Sequence, residues 1–136
     1  CDLAIIDKRR HNGDQVTVKN LIGEVEGCTV LMFDDLVSTA GTMCEAARLV
    51  MERGAVDVVC AATHGVFVGM ALERIQNSPI SRMVVTDTIS CEGRCDVIKD
   101  QLVELSVGKL LGEAIHRIHH DQPISAMFRT IVGTKR

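Results

Sequence analysis

Six apolar runs punctuate the chain: Leu3–Asp7, Val16–Leu21, Thr29–Asp34, Val56–Thr63, Met83–Asp87 and Leu102–Leu105. Most are continuous and rich in β-branched residues, the pattern of strands covered on both faces of a parallel sheet. Between and after them the period becomes helical. Gly41–Arg53 carries Met43, Ala46, Ala47, Val50 and Met51 on one face, with Gly54 placed as a C-terminal cap. Met70–Gln76 is a shorter helix that Asn77-Ser78-Pro79 stops. Val107–His120 sets Val107, Leu110, Leu111, Ala114, Ile115 and Ile118 at helical spacing, with Ser106 as the N-cap. Strands alternating with helices predict an α/β fold, a mostly parallel sheet flanked by helices and joined by right-handed crossovers. His11–Gln15 is polar and reads as a mobile loop or hairpin tip, and Gly133–Arg136 as a frayed tail.

Composition narrows the function classes. The 136 residues suffice for one domain with a real core. Aromatics are 2%, without Trp or Tyr, so the core is aliphatic and base stacking on single-stranded nucleic acid is disfavoured. A net charge of −3 offers no basic field for a duplex, so no nucleic-acid partner is expected. An anionic ligand would need local donors. Of six cysteines, Cys44 and Cys60 sit in apolar stretches and read as small buried hydrophobes. Cys91 and Cys95 form one pair without a second at ligand spacing, so no zinc site is expected. The cysteine usage suits a reduced, cytoplasmic protein. No apolar stretch approaches the length of a membrane span and no signal peptide is recognised, so no membrane partner is expected. The chain opens at Cys1 and enters a strand at Leu3, which suggests a fragment lacking an N-terminal part.

The chemistry gathers where the apolar runs end. The first ends in Asp7-Lys8-Arg9-Arg10, the third in Asp34-Asp35, the fourth in Thr63-His64-Gly65 and the fifth in Thr86-Asp87-Thr88. Ligands of open α/β sheets bind beyond the carboxyl ends of strands, so four polar strand ends with small-residue loops favour a site. The sharpest is Phe33 to Thr42. Ser38, Thr39, Ala40, Gly41 and Thr42 lie where the helix begins, and free N–H groups and the positive dipole end there suit a phosphate. Asp34 and Asp35 are placed to accept hydrogen bonds from sugar hydroxyls or to hold a Mg²⁺ that does so. The loop is neither a Walker A loop nor a Gly-x-Gly-x-x-Gly fingerprint. A plain N-cap with two solvated aspartates is the bland alternative; two acids at a buried strand end would be costly without a partner.

Asp34-Asp35-x-x-Ser-Thr-x-Gly-Thr resembles the 5-phosphoribosyl 1-diphosphate motif of the type I phosphoribosyltransferase fold. Asp2–Arg10, Ala62–Phe67, Val84–Ile89 and Ile124–Phe128 resemble, in order, the C-terminal half of ribose-phosphate pyrophosphokinase (phosphoribosyl diphosphate synthetase). The resemblance runs from Asp2 to about Phe128. It implies a type I phosphoribosyltransferase-like domain over residues 1–128, a tail over 129–136, and a missing N-terminal domain. It also implies the activity, a transfer of diphosphate from ATP to C1 of ribose 5-phosphate that yields 5-phosphoribosyl 1-diphosphate and AMP for nucleotide biosynthesis, with Mg²⁺.

By the same resemblance Lys8 and Arg10 match the catalytic Lys-x-Arg of the family's flexible loop, and Arg10 also a substrate contact. Asp34 matches a ribose contact, Ser38 to Thr42 the 5-phosphate loop, and Asp35 a position that helps place metal or water. Ser125 and Phe128 match a segment of the allosteric site for phosphate and ADP, with a packing motif anchored by Phe128 as the equal alternative. From its place at a strand end, His64 is expected to contact nucleotide or a neighbouring subunit, or to be a hydrogen-bonded structural histidine. The chain departs from the family at Ser38, where many members have Asp, at Phe67-Val68-Gly69-Met70, at Ser90 and at Pro123. Serine at 38 removes one ribose-hydroxyl acceptor and leaves a phosphate donor; Pro123 weakens the case for phosphate activation. The main Mg²⁺ and ATP ligands of the family lie upstream of Asp2, so the fragment alone is expected to be inactive. The family also implies a homo-oligomer, a hexamer built from dimers. Two alternatives are a non-catalytic regulatory protein that associates with the synthetase, against which the intact Lys8 and Arg10 speak, and a nucleobase phosphoribosyltransferase, for which no hood region is found.

Overall fold

The computed structural model describes residues 2–11 and 15–131, with 7–11, 15–20 and 129–131 by backbone alone. The centre of the expected hairpin tip, residues 12–14, and the expected tail over 133–136 lie outside the described residues. Ile5–His11 (β1) and Gln15–Ile22 (β2) pair antiparallel as a two-stranded sheet of their own. Strands joined by so short a connection satisfy each other's backbone groups without entering a larger sheet. The first strand end is therefore not part of the parallel edge on which the sequence pattern placed it.

The parallel sheet begins at Thr29–Val37 (β3). Gly41–Glu52 (α1) crosses over to Asp57–Gly65 (β4). Ala71–Gln76 (α2) leads to Arg82–Thr86 (β5), and a single 3-10 turn at Asp96–Ile98 precedes Leu102–Leu105 (β6). The strands lie in the order β3-β4-β5-β6, all parallel. The expected stops hold. Arg53 caps α1, and Gly54 follows at φ +89°, a left-handed conformation that glycine adopts without a Cβ penalty. α2 ends at Asn77, two residues before Pro79.

Burial alternates along β4: Val58, Cys60 and Ala62 are buried, and Val59 and Ala61 only partly so. Met83 and Val85 of β5 continue that buried face, which Ala47 and Val50 of α1 and Ala71 and Ile75 of α2 cover. The other face is open within this unit; Phe33 of β3 is 76% exposed. The apolar runs thus read as doubly covered strands, whereas helices of this unit cover one face.

Cys44 and Cys60 are buried, as expected. Burial first, then the neighbouring Cys44, pushes the Cys60 thiol from 9.0 up to about 12. An unfolded thiol ionises first as pH rises, so the stability tied to the neutral buried thiol is whole below pH 9.0 and is lost as pH climbs toward about 12. The urea midpoint of the wild type is expected to fall over that window, and Cys60→Ala to fall less steeply. Equal slopes would contradict this.

The contacts divide the chain into two units, Cys1–Leu105 and Ser106–Arg136. The second contains Gly108–His119 (α3) and Ser125–Ile131 (α4). The Ser106 hydroxyl accepts the Gly108 N–H at 3.2 Å, while Val107 occupies the N-cap, so the serine acts one residue earlier than expected. Arg117 pairs with Glu113 one turn back at 2.7 Å. Leu110, Leu111, Ile115 and Ile118 form the expected apolar face, and all four are exposed. α4 was absent from the sequence reading, because seven residues are too few to show a helical period.

Candidate functional site

β3 delivers its carboxyl end directly into α1. Three residues, Ser38 to Ala40, separate the strand from the helix. No side chain caps α1, so its first N–H groups stay available at the positive end of the helix dipole. Ala40 takes the N-cap position at φ +58°, which turns the chain sharply there. The result is an open pocket of about 160 Å³ lined by Asp34, Leu36–Val37 and Ser38 through Met43. That is below the roughly 300 Å³ at which pockets for whole drug-sized ligands begin. The pocket suits one polar end of a ligand, and its donors suit an anionic one.

The carboxylates stand differently from each other. Asp34 lines the pocket, and its Oδ1 accepts the Asp35 N–H at 2.9 Å. Asp35 follows on the strand, projects to the opposite face and is not among the lining residues. Both are exposed, so the desolvation cost invoked from the sequence does not apply; what favours a ligand is position. Among the described residues no three His, Cys, Asp or Glu side chains stand close enough to hold a metal ion. These residues alone do not fit a protein-held Mg²⁺, and no step is derived through one.

Two further strand ends meet this edge. Leu36 pairs with His64, and His64 with Thr86, across β3, β4 and β5. His64 Nδ1 is hydrogen-bonded to Thr88 Oγ1 at 2.8 Å, and the Thr86 hydroxyl donates to the Thr63 carbonyl at 2.7 Å. Arg94 ties the next loop to the same place, donating to the Ser90 and Val66 carbonyls at 2.8 and 2.7 Å. Three of the four polar strand ends are therefore brought together and laced. Gly65 permits this crowding: a Cβ there would stand 2.6 Å from the Phe67 ring and 3.1 Å from Val85.

The profile of the phosphoribosyl synthetase-associated domain matches residues 10–129. The chain belongs to that family. The ribose-phosphate pyrophosphokinase of Rhodopirellula baltica is 54% identical over 129 residues, 94% of this chain and 40% of that protein. Ribose-phosphate pyrophosphokinase 2 of Enterococcus faecalis is 47% identical over 128 residues, 94% of this chain and 39% of that protein. The chain thus spans about two fifths of the length of the curated relatives it matches. The crystal structure of phosphoribosylpyrophosphate synthetase from Mycobacterium smegmatis superposes with a TM-score of 0.70 at 34% identity, over 74% of this chain and 33% of that one. The expected α/β class, a parallel sheet with flanking helices, is the architecture observed.

Lys8, just ahead of the matched synthetase-associated domain, and Arg10, its first residue, lie on β1, where the backbone alone is described. Ser125 and Phe128 lie on α4, both exposed. One residue of the pocket's surroundings escaped sequence reasoning. Arg74 of α2 donates its Nη1 to the Thr39 carbonyl at 2.8 Å. The contact spans 35 positions, and no local pattern marks it.

Proposed function

We propose that this chain forms the ribose 5-phosphate side of a ribose-phosphate diphosphokinase, as the C-terminal half of such a protein. The observation that carries the reading is the pocket itself. It sets an uncapped helix N-terminus and the hydroxyls of Ser38, Thr39 and Thr42 opposite the Asp34 carboxylate, in one small space at a strand end. The identity to named pyrophosphokinases supports it.

In this reading residues Ser38 to Thr42 hold the 5-phosphate and Asp34 accepts a hydrogen bond from a ribose hydroxyl. The C1 hydroxyl oxygen attacks the β-phosphorus of ATP. That bond forms as the bond from the β-phosphorus to the α,β-bridging oxygen breaks, AMP departs with that oxygen, and the hydroxyl proton passes to solvent. Charge builds on the transferred group, and Lys8 and Arg10 stabilise it once water is excluded. Mg²⁺ would supply charge neutralisation to the polyphosphate in this chemistry, and of the two aspartates only Asp34 lines the pocket where it could act as an acceptor. The nucleotide's own binding groups belong to the remainder of the longer protein. We further assign a homo-oligomer (a hexamer), a cytoplasmic location, and a regulatory role for Ser125 and Phe128 to the same reading.

The test is AMP release from ATP and ribose 5-phosphate by the gene product that carries this chain. Release that needs both substrates and no nucleobase is expected. Dependence on a nucleobase would make it a phosphoribosyltransferase. No activity, with retained binding to an active synthetase, would make it an associated regulatory protein.

A further inference from the structure

Three consecutive carbonyls, at the end of β3 and in the loop before α1, are tied outward to one segment. The Val37 carbonyl accepts the N–H groups of Val66 and Phe67, both at 3.0 Å, and the Ser38 carbonyl accepts Val68 N–H at 3.0 Å. The Thr39 carbonyl accepts Arg74 Nη1 at 2.8 Å. None of these donors lines the pocket. The peptides are trans, and in a trans peptide the next N–H points opposite to the carbonyl. The N–H groups of Ser38, Thr39 and Ala40 therefore face away from the 66–74 segment, to the side on which the pocket lies. Successive N–H groups arranged in this way make a cradle for an anion.

The third tie differs from the other two, because a side chain makes it. It falls at the peptide entering Ala40, whose left-handed conformation is strained for any residue with a Cβ. A strained turn persists only when its surroundings hold it. Arg74 Nη1 also stands 3.8 Å from the position a Cβ on Gly41 would take, beside the first residue of α1. Among the described residues no carboxylate stands at ion-pair distance from this guanidinium, whose charge also bears on Cys44.

We propose that Arg74 is a positioning residue for the phosphate end of the site. It keeps the Thr39 carbonyl turned out, and so keeps the Ala40 N–H turned in. Were that peptide to flip, a carbonyl oxygen would face the phosphate oxygens and repel them. The inference rests on the ribose 5-phosphate reading above and adds a residue to it from another element. Arg74 acts through Thr39, at the end of the sugar remote from C1, so it affects capture of the phosphate and not the transfer.

The test is steady-state kinetics of the gene product carrying this chain, with Arg74→Met and Arg74→Lys. Arg74 is exposed, so methionine removes the donors without opening the core. Arg74→Met is expected to raise KM for ribose 5-phosphate about tenfold to a hundredfold, the size of one lost charge-assisted hydrogen bond, with kcat and KM for ATP within about twofold. Arg74→Lys is expected to recover most of the loss, because a single N–H makes the contact and an ammonium can supply it. An unchanged KM for ribose 5-phosphate in an active Arg74→Met enzyme would overturn the role and leave the function standing. An equal rise in KM for ATP, or a fall in kcat alone, would also overturn it. A wild type that binds no ribose 5-phosphate would remove the function and this role together.

Discussion

Lys8→Ala, in the gene product that carries this chain, is expected to lower kcat by about 10²–10³ while KM for ribose 5-phosphate changes by less than about threefold. The split follows from where charge appears. In the proposed function ribose 5-phosphate is held by residues Ser38 to Thr42 and Asp34, which Lys8 does not supply. The negative charge that Lys8 would meet develops as the β-phosphorus leaves one oxygen for another. An interaction made chiefly in the transition state lowers kcat and leaves ground-state binding nearly untouched. Arg10→Ala is expected to behave similarly, with a larger effect on KM because Arg10 is also assigned to the substrate. Turnover within about threefold of wild type after Lys8→Ala would remove that lysine from the mechanism.

Ile75→Ala is expected to cost about 2–5 kcal/mol of stability. Ile75 is fully buried, and with Ala71 it is one of only two buried residues of α2. A six-residue helix has no independent stability in water, so packing alone keeps it in place. Removing the side chain leaves a cavity in the buried cluster to which Met83 and Ile98, also closed to solvent, belong. Set against a typical domain stability of about 5–15 kcal/mol, such a loss is a large fraction. The readout is the urea midpoint, which should fall with an unchanged slope. Because Arg74 precedes Ile75 on the same helix, binding of ribose 5-phosphate should weaken as well. A loss under about 1 kcal/mol would mean that α2 slides to refill the space.

The strand-loop-helix from β3 to α1 was legible because its determinants are local. A continuous apolar run, small hydroxyl residues and a 3.6-residue period all fall within Thr29–Glu52. The stop of α1 at Gly54 and that of α2 before Pro79 were legible for the same reason. The grouping of strand ends was legible for three strands and not for the first. Runs of like composition do not say which sheet a strand joins; β1 takes its neighbour β2 as partner. Covering on both faces was read from continuous hydrophobicity, yet Leu31 and Phe33 stand open in this unit. α4 was missed because its period is too short to register.

From the sequence alone follow the α/β class, the place of the small, hydroxyl-rich loop at Ser38–Thr42, and the family likeness, which the matches at 54% and 47% identity bear out. Each depends on residue type and spacing along one stretch of chain. The tertiary structure alone decides which way the loop's peptides face. That direction is set by Val66, Phe67, Val68 and Arg74, which lie 29 to 35 positions from their acceptors. A peptide's orientation is not written in its own side chains; it is chosen by whatever donor the fold brings to its carbonyl.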